Sequence, residues 1–494
     1  MKNTATSLLF SIMQALLIVL SSADMVAAQF ENTIYGDQAF THNTTGSTDT
    51  ALGFSALQQN TTGVANTATG DDALTNNSTG NLNTATGVGA LNRNTTGNSN
   101  TASGVQALVD NTTGDNNTAT GYDALFTNTT GSSNTASGWK ALYSNGTGSN
   151  NTATGLSALY TNTTGSNNTA TGFDALYSNT TGFHNSATGA DALYSNSTGF
   201  NNTATGFDAL FNSTKGYQNT ATGNYALVSN TTGYNNTASG FQSLFSNSTG
   251  INNTATGFNA LASNTTGNNN TASGFQALFN NTNGNRNTAS GVSALFGNTG
   301  INNIGVGYQA GENLTTGDNN IDVGNVGIAA EANTIRMGTQ GTQTATYIAG
   351  ITGSAVTGSD VVITGAGRLG VVASSARYKK DISDMGESTD GLMKLRPVTF
   401  RYKDDQQRTK QYGLVAEEVD QVYPELVVRD PDGKVESVRY SILTSMLLNE
   451  LQKQTRKNER QAEKLAWLEM RLDKLEQLIA VKDGNRNLAA AFSR

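Results

Sequence analysis

Nine residues of this chain combine a nucleophile with a base: Ser374-Ser375-Ala376-Arg377-Tyr378-Lys379-Lys380-Asp381-Ile382. A serine hydroxyl attacks a carbonyl once a neighbouring base takes its proton. A lysine amine is such a base where burial or nearby charge favours its neutral form. Two pairs share one spacing here, Ser374 with Lys379 and Ser375 with Lys380. Spacing alone makes neither catalytic, so the surroundings must decide. Other chemistries have little to work with. Cysteine is absent, which removes disulfides and thiolate metal sites. The two histidines, His42 and His184, are too few for a His-based metal cluster. No metal and no cofactor are expected.

These nine residues join two different polymers. Downstream lie all three prolines, Pro397, Pro424 and Pro431, and most of the charge. Upstream, between residues 3 and 376, the only positive side chains are Arg93, Lys140, Lys215, Arg286, Arg336 and Arg368. A body this rich in Gly, Asn and Thr has the composition of a disordered chain, yet it is strictly periodic. Net charge is −8 over 494 residues, which argues against nucleic acid as a partner.

The period is 17 residues, set by a glycine that recurs from Gly36 through Gly70 and Gly172 to Gly291, sixteen units in all. A fixed short period of this kind marks a solenoid. Around Gly172 stand Thr169-Ala170-Thr171 before it, Ala175-Leu176 and Asn179 after it, and a second glycine at Gly182. Thr-Ala-Thr alternates, so alanine faces one way and both threonines the other. Seventeen residues with two glycines cannot hold two helices, and Asn, Thr and Gly disfavour helix. The unit predicts one coil of a β-roll, with two short extended segments, Ala and Leu inside, and glycine at the corners. Equivalent asparagines should stack and pair their amides. At about 4.8 Å per strand, sixteen coils make a rod of roughly 75 Å.

Large apolar residues follow the glycine (Tyr122, Trp139, Phe173, Phe207), and others stand five after it (Phe126, Tyr143, Tyr160, Tyr177, Tyr194). They call for a second surface, which three chains packed together would supply. Asn-x-Thr sequons such as Asn43-Thr44-Thr45 and Asn162-Thr163-Thr164 invite glycosylation, but an amide ladder explains the same residues without sugar. The repeat resembles the β-roll heads of trimeric autotransporter adhesins and the Asn-Thr-Ala-x-Gly arrays of bacterial tail-fibre-like proteins, over about Phe30 to Gly311.

From 374 to 480 the chain resembles the intramolecular chaperone of phage endosialidase tailspikes, a self-cleaving peptidase family. The family's opening Ser-Asp-x-Arg-x-Lys-x-x-Ile falls on Ser374, Ser375, Arg377, Lys379 and Ile382, with serine in place of its aspartate. Leu395 to Phe400 follow as the Leu-x-Pro-Val-x-Phe strand. Gly413-Leu414-Val415-Ala416-Glu417-Glu418-Val419 fit the helix start, with Glu417 where the family has glutamine. Tyr423 to Val427 and Tyr440-Ser441-Ile442-Leu443 complete the set. The resemblance implies that Ser374 attacks the carbonyl of Ala373 with Lys379 as base, a single-turnover serine autoprotease that cuts at Ala373–Ser374.

The C-terminal stretch repeats by sevens: Leu451, Asn458, Leu465, Leu472 and Ile479, with Gln454, Gln461, Leu468 and Leu475 at the other core position. This pattern predicts a coiled coil. At the opposite end, Lys2, the apolar run from Leu8 to Leu20 and Val26-Ala27-Ala28 read as a signal peptide cut after Ala28.

The expected fold is mainly β: a repetitive β-roll solenoid fibre, then a small α+β chaperone domain ending in a coiled-coil helix, homotrimeric overall. The expected division is signal peptide 1–28, β-roll fibre 29–311, β-rich neck 312–373 with strands paired between chains, chaperone and autoprotease 374–446, coiled coil 447–482 and tail 483–494. The expected protein is a secreted or cell-surface trimeric fibre, adhesin-like, whose partners are its own copies and cell-surface glycans or other surface ligands. It has no membrane span once the signal is removed. Two alternatives are a tailspike-like glycan-degrading enzyme and an ice-binding solenoid. The first needs two placed carboxyls, and no carboxylate pair recurs in the repeat.

Overall fold

The computed structural model describes residues 31–348, 361–364, 367–430 and 432–491. The expected signal peptide lies outside the described residues. The chain divides into two compact units, residues 1–355 and 356–494.

The first unit is a β-solenoid. Each coil contributes one three-residue strand, and 19 such strands from Thr33–Tyr35 to Ile335–Met337 form one parallel sheet. Register follows the sequence period, so that Ala153 pairs with Ala170 and Ala187 with Ala204. Along Thr-Ala-Thr the alanine is fully buried and both threonines are exposed, as alternation requires.

The rest of the coil is not the second extended segment that the sequence suggested. After the strand, Gly172 sits at φ 140°, Asp174 at 49° and Leu176 at 54°. Left-handed residues curl the chain back within a few positions, and a leucine held there costs about 1–2 kcal/mol. Leu176 is fully buried, and burying such a side chain stabilises by about 1.5–3 kcal/mol, enough to offset the strain. The curled segment still bonds coil to coil, as when Leu176 N–H donates to Ala192 O at 2.9 Å. Backbone groups outside the strands thus find partners in the neighbouring coil.

The core is narrow. It holds two alanines and a leucine per coil, such as Ala170, Ala175 and Leu176, all buried by their own chain. Two asparagine ladders flank it. Asn179 Nδ2 donates to Asn162 Oδ1 at 2.7 Å and to Gly182 O at 3.0 Å. Asn168 Nδ2 donates to Asn151 Oδ1 at 3.2 Å, and its backbone N–H donates to the same oxygen at 3.0 Å. The sequon residue Asn162 is therefore buried, with its amide nitrogen engaged.

Many of the aromatics find their partners along the same chain. Phe126, Tyr143, Tyr160, Tyr177, Tyr194 and Phe211 stack face to face with ring centroids 5.0–5.1 Å apart. The spacing of the coils itself supplies the stacking distance. Phe173, Phe207 and Phe258, which follow the glycine, stay about half exposed.

The sheet does not stop where the 17-residue period does. Ile304–Val306, Ile321–Val323 and Ile335–Met337 continue the ladder, in the register Thr288↔Ile304, Ile304↔Ile321 and Ile321↔Ile335. Ile321–Val323, in the expected neck, thus pairs on both sides within its own chain. Gly305 and Asp322 take the inward alanine positions, so the coil closes without the motif. Further on, Val362–Ile363 pairs antiparallel with Leu369–Gly370.

In the second unit, the hairpin Val398–Phe400 with Gln411–Gly413 and the hairpin Val427–Arg429 with Val435–Val438 accompany a short helix, Ala416–Asp420. The helix Tyr440–Ala491 closes the chain with 52 residues, roughly 78 Å at 1.5 Å per residue. No helix among the described residues is long and apolar enough to cross a membrane.

Candidate functional site

Ser374 and Lys379 lie on either side of a single 3₁₀ turn, Ala376–Tyr378. Ser375 enters it with an extended backbone, Tyr378 N–H donates to Ser375 O at 3.0 Å, and Lys379 N–H donates to Ala376 O at 3.1 Å. The turn folds the chain back far enough for Lys379 Nζ to reach Ser374 Oγ at 3.3 Å. As a charged ammonium, Lys379 donates to the hydroxyl. A neutral amine in the same place could accept that hydroxyl's proton. Both residues are exposed, as is Ala373 ahead of them.

The turn precedes a small core built from the sequence motifs. Val419, Tyr423, Leu426 and Val427 are buried together with Leu392, Val438 and Met446. Two motif tyrosines act through their hydroxyls. Tyr440 Oη accepts the Leu414 N–H at 2.8 Å, and Tyr423 Oη donates to Ser388 O at 3.2 Å. Arg396 pairs with Glu418, and its guanidinium holds that carboxyl below the usual range. An apolar cavity of about 490 Å³ opens beside Leu395, Val398, Leu414, Tyr440, Leu443 and Leu447.

A polar clamp was not visible in the sequence. Thr389 is fully buried on the 3₁₀ helix Gly386–Lys394 and donates to Glu450 Oε1 at 2.5 Å. Asn449 Nδ2 donates to Thr389 Oγ1 at 2.6 Å and to Gly386 O at 2.9 Å. Lys453 joins Glu450 at 2.7 Å and also pairs with Asp390. Lys453 and Thr389 hold the Glu450 carboxyl below its ordinary value. Some sixty residues separate the partners, and a contact that distant leaves no periodic mark in the sequence.

Residues 374–428 match the family described as chaperone of endosialidase. The chaperone segment thus begins at the serine of the 3.3 Å pair. It ends just before the second hairpin turns back, so Tyr440 and the long helix lie beyond the matched residues. No curated protein and no solved structure matches the chain. A β-solenoid followed by a chaperone segment is the make-up of a tail-fibre-like structural protein.

Beyond the chaperone segment, the long helix carries its heptad side chains outward. Leu451, Leu465, Leu472, Ile479, Leu468 and Leu475 are all exposed, and they form one apolar seam.

Proposed function

We propose that the protein is a secreted or cell-surface trimeric fibre whose chaperone segment directs assembly and then severs itself at Ala373–Ser374. The observation that carries this reading is the 3.3 Å approach of Lys379 Nζ to Ser374 Oγ at the first residue of the matched segment. The exposed heptad seam supports assembly through three parallel helices, with Gln454, Asn458 and Gln461 as polar layers that set register. Joining the chains at one end raises the local concentration of the rest.

Cleavage follows as an acyl shift. Lys379, as a neutral amine, takes the Ser374 hydroxyl proton, and Oγ bonds to the Ala373 carbonyl carbon. The C–N bond breaks, and Lys379 returns the proton to the departing amine. Water then hydrolyses the Ala373 ester, freeing residues 374–494. In the single chain both groups face solvent. A lysine serves as a base where desolvation favours the neutral amine, and packing of three copies supplies that burial. Cutting is thereby timed to follow assembly. Removal of the assembly segment then takes away the reverse path, and the fibre's stability becomes kinetic.

The test is expression of the full chain beside Ser374→Ala and Lys379→Ala, read on a denaturing gel. Two fragments are expected for the wild type and one full-length band for each variant. An intact wild type would sink the protease while leaving the assembly role standing.

A further inference from the structure

From Thr67–Thr69 to Thr288–Ser290, fourteen successive strands each turn two side chains outward, and every one is Thr or Ser. Folding does not require this. Threonine suits a strand, but so do valine, isoleucine and tyrosine. Other exposed positions of the same coils drift freely. The residue after the glycine is Asp71, Val88, Tyr122, Trp139, Phe173 or Asn224 in different coils. Where the sheet runs on past Ser290, the outward pairs become Ile304 with Val306, Ile321 with Val323, and Ile335 with Met337. The hydroxyl rows therefore have an end, and the ladder outlasts them.

The same residue type is used differently elsewhere in the coil. Thr95 Oγ1 donates to Thr112 O at 2.8 Å, Thr112 Oγ1 to Thr129 O at 2.9 Å, and Thr180 Oγ1 to Ser197 O at 2.9 Å. Those hydroxyls are structural. Between Thr67 and Ser290, the outward strand hydroxyls make no hydrogen bond to the chain among the described residues, so solvent is their partner.

Their lattice is fixed by the fold. Neighbouring strands lie about 4.8 Å apart, and the two outward side chains of one strand about 6.8 Å apart. Tetrahedral water has nearly the same two repeats. Hydrogen bonds of about 2.8 Å meeting at the tetrahedral angle place next-nearest oxygens about 4.5 Å apart, with a layer repeat of about 7 Å. The buried asparagine ladders hold the coil spacing rigid on the inner side, as Asn179 does with Asn162 at 2.7 Å. The rows carry no charge that would bind counter-ions, and each threonine sets a methyl beside its hydroxyl.

We propose that this face binds crystalline water: its two hydroxyl rows hold a first layer of water in register with the surface of ice. A single folded chain presents the whole face, so the inference stands apart from trimer assembly and cleavage.

The experiment is partition of the purified protein, cut or uncut at residue 374, into slowly growing ice. It is run beside Thr169→Tyr and Thr171→Tyr in the middle of the rows and Phe173→Ser at an exposed position outside them, with circular dichroism as the check that each is folded. Wild type and Phe173→Ser are expected to enter the ice, and both threonine variants to be left in the liquid. A wild type excluded from ice overturns the proposal, whether it then pairs with a second copy through this face or adsorbs to a crystalline polysaccharide. Folded threonine variants that enter ice as wild type does overturn it equally.

Discussion

Asn162 Nδ2 donates to Asn145 Oδ1 in the preceding coil over 2.6 Å, and it also donates to Gly165 O at 2.9 Å. Asn162 thus spends both amide protons, and it lends its oxygen to Asn179 in the coil after it at 2.7 Å. The ladder breaks at Ser213, where a serine stands in the asparagine position. There Asn196 Oδ1 and Ser213 Oγ are buried without partners, while Asn230 keeps its bond to Gly233 O at 3.0 Å. Ser213→Asn should restore two amide bonds and raise the unfolding free energy by about 1–2 kcal/mol. Asn162→Ala should lower it by about 1–3 kcal/mol, since a buried acceptor loses its donor. Denaturant midpoints of the two variants should move in opposite directions.

Acidity should stabilise the solenoid. Asp49 occupies an asparagine position in the second ladder and accepts Asn66 N–H at 2.7 Å, yet burial pushes its carboxyl up to about 6. Asp322 is buried with neither oxygen partnered. Burial and the Glu331 charge push it up to about 6 as well. Asp174, Asp191 and Asp208, stacked in successive coils, are raised too, chiefly by burial. A carboxyl raised by folding binds its proton more tightly in the folded state. Its contribution is full below the ordinary value of 3.8 and is lost as the pH rises through about 6. The melting temperature should therefore climb as the pH drops from 7 to 4. Asp49→Asn keeps the acceptor and removes the charge. It should raise the melting temperature at pH 7 and make that slope shallower, with Asp322 and the other raised carboxyls carrying the rest, which thermal melts at several pH values would show.

Gly172 has φ 140°, and a Cβ there would lie 2.4 Å from the carbonyl oxygen of Gly189 in the next coil. Backbone cannot yield as a side chain can. Gly172→Ala should cost more than about 3 kcal/mol, combining strain with displaced coil packing. Limited proteolysis should then nick the repeat near that coil. A wild-type digestion pattern would remove the argument that the approach of the coils excludes a methyl.

The helix Tyr440–Ala491 exposes Leu465, Leu468 and Leu472 on one seam. Replacing Leu465 and Leu472 together with Asp should abolish association of copies through this helix, because charge at a coiled-coil core position must be desolvated. Sedimentation equilibrium of Ser374→Ala, which keeps the helix attached, should give a trimer, and the same protein with the two aspartates a monomer. A monomer in both cases would end the assembly role of the seam.

Much of the solenoid could be read from single units. The alternation of Thr169-Ala170-Thr171, the inward Leu176 and the amide of Asn179 are local consequences of residue type, and repetition makes them cooperative. The same holds for the heptads from Leu451 to Ile479. Other features needed the folded chain. The stacking of Tyr160 on Tyr177 at 5.0 Å depends on coil spacing. The left-handed backbone at Leu176 depends on a core ready to bury it. Closure of the last coils by Gly305 and Asp322 depends on the ladder already in place. At the joint, residue types suggested Ser374 and Lys379, but only the turn at Ala376–Tyr378 brings them to 3.3 Å. Thr389 and Glu450, 61 residues apart, carried no sign of each other. Periodic contacts recur in every unit and so appear in the sequence, whereas a contact made once, between distant residues, is decided by how the chain folds.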